Sequence, residues 1–367
     1  MVNSALPGNS AGVKLEAVMK FTAILTLASF ALAATSTEFR WHVALPGYHF
    51  AFPRDHFNHP DFRTEWWYYT GNLWDDAGNR FGFELVFFRN GERRPVQPDS
   101  SAWRIDDYYL AHAAVTDVSG RRFLYRERLN RCGPGIAGIS FQDRRVWNGN
   151  WSVQWTGDRQ TLNAMTSDFQ FRLDLNPLKP PVIQGVNGVS QKAEGQGRAS
   201  YYVSFSRLAA VGTLGMAGRT RRVHGIAWMD HEWFTHQLDA SQTGWDWFSV
   251  QLDNSTELML FEIRRKDGSL DPYSSGTFID RSGAAHHLDA SAFRLTPGEK
   301  WQGYPVNWRI EVPSLRLVLN CRTVLPNQRL APEKTRNTYW EGAVEYSGTQ
   351  KGVGYLEMTG YDKPVIM

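Results

Sequence analysis

A chain of 367 residues is long enough for two ordinary domains. Its 42% hydrophobic and 21% charged content supplies a large core and excludes a disordered polymer. The net charge of +3 comes from scattered Arg and Lys with no basic run, which speaks against nucleic acid as a partner.

Residues 19–35, MKFTAILTLASFALAAT, join a short positive segment at Lys20 to an apolar stretch, Phe21 to Leu32. The stretch is too short to span a bilayer, and Ala31-Leu32-Ala33 fits a small-x-small cleavage site. Residues 1–34 are therefore expected to be a signal peptide with Met19 as its start. The mature chain is expected to be exported, to the periplasm or the medium.

The chain beyond this leader reads as strands and turns. The segment HPDFRTEWWYYTG (59–71) puts Glu65, Trp67 and Tyr69 on one strand face and Trp66 and Tyr68 on the other. FGFELVFF (81–88) lines Phe81, Phe83, Leu85 and Phe87 along one face, and WRIEV (308–312) does the same with Trp308, Ile310 and Val312. Turn signals such as Asp267-Gly268 and Ser282-Gly283 separate the runs. With 15 Trp, 21 Phe and 14 Tyr, the composition favours sheets and aromatic-walled cavities. Cys132 and Cys321 have no metal-site spacing. Export would permit a bridge between them, and two buried thiols are equally compatible with the sequence.

Three segments recur in order. WWYYTGNL (66–73) aligns with WDWFSVQL (245–252), matching Trp66 to Trp245, Tyr69 to Phe248 and Leu73 to Leu252. ELVFFRNG (84–91) resembles MLFEIRRKDG (259–268), and VTDVSGRRF (115–123) shares Asp-x-Ser-Gly with FIDRSGAAH (278–286). Such order implies duplication. The expectation is an all-β protein of two tandem antiparallel barrels or sandwiches, near 40–236 and 237–367.

The candidate site is GIAWMDHEWF (225–234). In a strand, Trp228, Asp230 and Glu232 share one face, and Met229, His231 and Trp233 the other, with Asp230 and Glu232 roughly 7 Å apart at Cα. Two carboxyls in an apolar setting disfavour ionisation of at least one, and a protonated carboxyl can act as an acid. Equally, each could be neutralised by an Arg or Lys that ties the halves together. His231 and His236 are five apart, not the four of a zinc-binding HExxH helix, so no metal or other cofactor is expected. No G-x-S-x-G elbow is present. Glu65 with Trp66, Trp67 and Tyr68, and YWEGAVEYSG (339–348) with Tyr339, Trp340 and Glu341, repeat the mixture of carboxylate and aromatic. Together with Trp228, Trp233, Trp245 and Trp247 they could wall one cavity between the halves.

FPRDHFNHPDFRTEWWYYTGNL, IQGVNGVSQK, SYYVSFSRLAAVGTL, GIAWMDHEWF, GWDWFSVQLD and YWEGAVEYSG together resemble the AttH/CrtC family. That family includes carotenoid 1,2-hydratases and exported proteins described as secreted hydrolases. The resemblance implies two lipocalin-like barrels. It implies that the aspartate at the position of Asp230 protonates a C=C bond, to which water then adds. Met229 before the aspartate and Glu232-Trp233 after His231 depart from the hydratases. The expected function is binding of an apolar small molecule or lipid at the domain junction. A hydratase-type reaction would use Asp230 as acid, with Glu232, His231 or Glu65 in support. The alternatives are a non-catalytic lipid-binding partner of an ABC transporter permease, as AttH-type proteins often accompany such permeases, and a hydrolase.

Overall fold

The computed structural model describes residues 39–92, 94, 105–331 and 338–365, so the expected leader lies outside the described residues. The described part consists of strands and turns, with short 3-10 turns at Arg54–His56 and Pro313–Leu315. No helix among the described residues is long and apolar enough to cross a membrane.

Two large antiparallel sheets carry the fold. In the first, the strands Arg122–Arg131, Asp107–Asp117, Arg80–Gly91, Thr64–Asp75, Arg219–Phe234 and Ala199–Met216 lie side by side, followed by five shorter ones that end at Ala137–Ser140. The sheet curls until its edges approach, and Arg128 donates to the Asn148 carbonyl across the gap at 3.1 Å. In the second sheet the order is Ala285–Asp289, Ser275–Ile279, Glu257–Arg265, Gln242–Leu252, Gly352–Met358 and Tyr339–Gly348, then Leu317–Thr323, Asn307–Val312 and Arg294–Pro297. Each sheet thus starts with a strand that lands between the strand after it and the strand that ends its sheet. This is the duplication expected from the three matched segments. Tyr69 and Leu73 sit in the first barrel's core and their counterparts Phe248 and Leu252 in the second's.

The alternation expected from sequence holds. Phe81, Phe83, Leu85 and Phe87 fill the first core, and Trp308, Ile310 and Val312 the second. Cys321 is buried in the second core and Cys132 is half-buried, and both are free thiols.

A third apolar cluster joins the sheets, with Tyr68, Val86, Tyr202 and Trp228 from the first and Trp247, Met259, Phe261 and Tyr355 from the second. Polar clamps reinforce it. Glu257 of the second sheet accepts from Lys179 at 2.7 Å and Arg207 at 2.5 Å. Gln251 donates to the Ser206 and Ala227 carbonyls at 2.8 and 2.9 Å. The sheets approach closely at Gly82, where a Cβ would lie 2.8 Å from both the Ala343 Cβ and the Tyr355 hydroxyl.

Candidate functional site

Further along these strands the sheets part and enclose a cavity of about 930 Å³. Its mouth carries the exposed residues Arg63, Asn90, Glu92, Asp362 and Lys363. Its interior is built by strand register. Tyr68 pairs with Asp230, which pairs with Ser204, while Trp66 pairs with Glu232, which pairs with Tyr202. From the opposite sheet, Trp247 pairs with Glu357, which pairs with Glu341. Because alternate residues face the same way, these rows confront one another across the cavity.

Asp230 is 3% exposed. Its carboxyl accepts from Tyr202 Oη at 2.6 Å, Ser204 Oγ at 2.5 Å and Trp228 Nε1 at 2.7 Å. All three donors are neutral. Burial therefore dominates, opposed by these hydrogen bonds and assisted by the Glu232 charge, and the ionisation of Asp230 moves up to about 7. A relay holds the donors in place: Thr277 of the second sheet donates to Gln184 at 2.6 Å, Gln184 donates to Ser204 at 2.9 Å, and Trp247 Nε1 donates to the Tyr202 hydroxyl at 3.1 Å.

Glu232 is differently supplied. It accepts from Ser200 and, at 2.7 Å, from Gln237, and Lys192 Nζ stands 3.6 Å away. Burial raises its pKa against the pull of Lys192. Burial lowers that of Lys192, whose ammonium lies 3.8 Å above the Phe261 ring.

At the far side, burial and the charge of Glu357 raise the pKa values of Glu84 and Glu341, and Glu84 raises that of Glu341 further. Burial likewise brings Glu357, which accepts from Trp245 Nε1 at 3.2 Å, up to about 7. Aromatic walls complete the chamber, with Tyr68 edge-on to Trp247 at a centroid separation of 5.3 Å and Trp66, Phe88 and Trp245 lining the rest.

The structure brings Asp230, Glu232, Trp66, Tyr68, Trp245, Trp247, Tyr339 and Glu341 to this cavity, with Trp228 reaching it through its bond to Asp230. It removes Glu65, Trp67, His231 and Trp233 from it. The sequence allowed Glu65 or His231 as partners of Asp230. Both lie on the opposite face of their strands, toward the first barrel's interior, so neither touches Asp230. Trp340 also faces away, into the second core, where it donates to the Pro326 carbonyl at 2.7 Å.

The removed residues form their own buried network. Glu65 accepts from His59 Nδ1 at 2.7 Å, His231 Nε2 at 2.9 Å, Arg89 Nε at 3.1 Å and the His59 backbone N–H at 2.9 Å. Burial opposes its ionisation, but His59, His231 and Arg89 outweigh burial and hold the carboxyl well below the usual range. One ligand atom each of His59, Glu65 and His231 lies within 4.8 Å of the others, a donor set that could hold a metal ion. Both Glu65 oxygens are nevertheless already engaged by four hydrogen-bond donors, and His59 and His231 are stacked on Trp233 and Trp67. The arrangement meets its own valences as a charge network.

Sequence reasoning missed Lys192, Tyr202, His112 and Glu357 as cavity groups, and Ser204 and Glu84 as hydrogen-bond partners of the cavity residues Asp230 and Tyr339. Glu84 and His112 had a signal, since each is a lone polar residue inside an apolar strand.

No curated protein is detectably similar in sequence. A protein of Nitrosomonas europaea assigned to AttH is 31% identical, over 87% of this chain and 99% of its own, with a TM-score of 0.79. Two solved structures share the fold at lower identity. Kievitone hydratase from Nectria haematococca is 13% identical over 89% and 98% of the two chains, with a TM-score of 0.64. CghA, solved with Sch210972, is 14% identical over 89% and 97%, with a TM-score of 0.54. The AttH-like profile matches residues 43–361, which contain both sheets and nearly all of the cavity wall. By that match the chain is a member of the AttH-like family.

Proposed function

We propose that the cavity binds a mainly apolar small molecule and that Asp230 protonates it, in a hydration or a related acid-initiated reaction. One observation carries this reading: a carboxyl at the cavity wall, buried, held by three neutral donors and by no cation, retains a proton near neutral pH. A carboxyl of that kind is suited to general acid work. Protonation of a C=C bond generates a carbocation. The rings of Tyr68, Trp66, Trp245 and Trp247 offer π faces to it. Water then supplies the oxygen, and its surplus proton passes to a carboxylate such as Glu232 or Glu357. Two relatives in fold, one named a hydratase, are consistent with small-molecule chemistry on this scaffold.

We further propose that the leader at 19–35 exports the protein, so that the reaction takes place outside the cytoplasm. N-terminal sequencing of protein from a native-like host should find a mature start between Ala33 and Ser36.

Native mass spectrometry of the purified protein identifies the retained ligand, and conversion of that ligand is the assay. Asp230→Asn keeps shape and an oxygen that can accept from Ser204 and Trp228, but removes the transferable proton. Turnover should fall by about 100-fold or more, with ligand affinity kept and no loss of melting temperature. Unchanged turnover would sink the acid role. If neither protein converts the retained ligand, non-catalytic carriage, as for a partner of a transport permease, becomes the better account.

A further inference from the structure

Three polar atoms in the cavity wall have no hydrogen-bond partner: the Tyr68 hydroxyl, His112 Nε2 and Glu341 Oε1. Their residues come from three strands of both sheets, all line the cavity, and are 7%, 2% and 1% exposed. The Tyr68 hydroxyl faces the Glu341 carboxyl without reaching hydrogen-bond geometry. His112 is fixed from behind, with Nδ1 2.5 Å from the Tyr339 hydroxyl, which lies 3.3 Å from Glu84. A buried polar group left unpartnered costs roughly 1–3 kcal/mol, so three of them in one cavity lining mark a place where something is received.

The chemistry of the three narrows what that is. Burial suppresses protonation of the His112 ring, and burial beside Glu84 and Glu357 keeps Glu341 in its acid form. Tyr68 keeps its proton for the same reasons. The wall is therefore uncharged and offers both donors and acceptors. A carboxylate would bring a buried, acceptor-only charge to a place where burial already keeps three glutamates from ionising readily. An ammonium would have to ionise groups that burial keeps neutral. An alkyl terminus would leave all three atoms unsatisfied. A hydroxyl both donates and accepts, and carries no charge.

We propose that Tyr68, His112 and Glu341 form a receptor for an uncharged hydroxyl group, so that the ligand is an apolar body bearing an alcohol or phenol, not a hydrocarbon, fatty acid or amine. This rests on the cavity being the ligand site. It adds the polar end of the molecule whose apolar body passes Asp230.

Four retinoids with one polyene body and different ends supply the test: retinol, the hydrocarbon axerophtene, retinoic acid and retinylamine. Each is titrated into the purified mature protein and followed by quenching of tryptophan fluorescence. Retinol should bind about tenfold more tightly than each of the other three. Tyr68→Phe and His112→Leu should each cut the preference for retinol over axerophtene to about twofold. Tyr68→Phe deletes one oxygen and guards against misfolding of the histidine variant. Equal binding of retinol and axerophtene, or tighter binding of the acid or the amine, would overturn the receptor while leaving the cavity as the ligand site. Binding of none of the four would overturn the ligand-cavity reading itself.

Discussion

Glu65 and Asp230 lie on neighbouring strands of one sheet, equally buried, and behave in opposite ways. Glu65 is held ionised, and Asp230 keeps its proton to about pH 7. Both accept several hydrogen bonds. The difference is the charge of the donors: Arg89 and two imidazoles surround Glu65, whereas two hydroxyls and an indole surround Asp230. Burial makes ionisation costly in both places, and only a cation offsets it. One face of the sheet thus uses a carboxylate to hold the fold, and the other keeps a carboxylic acid in reserve.

The largest effect should come from removing the cation. Arg89 is fully buried and binds Glu65, Asp107 and the carbonyls of His59 and Phe62. Arg89→Met leaves a buried charge unpaired and should cost about 3–5 kcal/mol in denaturant unfolding. A loss below about 1 kcal/mol would break the comparison.

The two carboxyls should next show opposite pH slopes. Asp230 ionises at its ordinary 3.8 when unfolded and at about 7 when folded. Between those values the native state binds the extra proton, so wild-type stability falls as pH rises and then levels off. The advantage of Asp230→Asn should therefore grow by about 3 kcal/mol from pH 4 to pH 7. The Glu65 contribution is present above its ordinary 4.5 and disappears on acidification, so the deficit of Glu65→Gln should be largest at neutral pH and shrink below about pH 4.5. Parallel slopes for the two variants would show that donor charge does not distinguish them.

The smallest effect sharpens the neutral side. Trp228→Phe removes one donor from Asp230 and should cost about 1 kcal/mol. It should also push the Asp230 ionisation above about 7. Titration of labelled aspartate by NMR would follow it, and an unmoved titration would mean that the indole does not set the acidity.

Much of this was legible in residue order. The period of two separated Asp230 and Glu232 from His231, and Tyr68 from Glu65, and the match of Trp66 to Trp245 announced two related sheets. What residue order does not contain is strand pairing. Without it, Glu65 looked like a neighbour of Asp230, although Tyr68 occupies that position in the register. The donors Tyr202 and Ser204 come from a third strand, Lys192 from a turn-rich stretch, and Glu357 from the last strand. Their convergence follows from the curl of the sheets, which no local pattern records.

The contact at Gly82 leaves no space between the sheets for a side chain at that position. Gly82 lies on the strand that reaches the cavity at Phe88, roughly 20 Å away along an extended chain. A bulkier residue at position 82 would therefore force Ala343 or Tyr355 of the opposing sheet to shift, at a point outside the cavity lining.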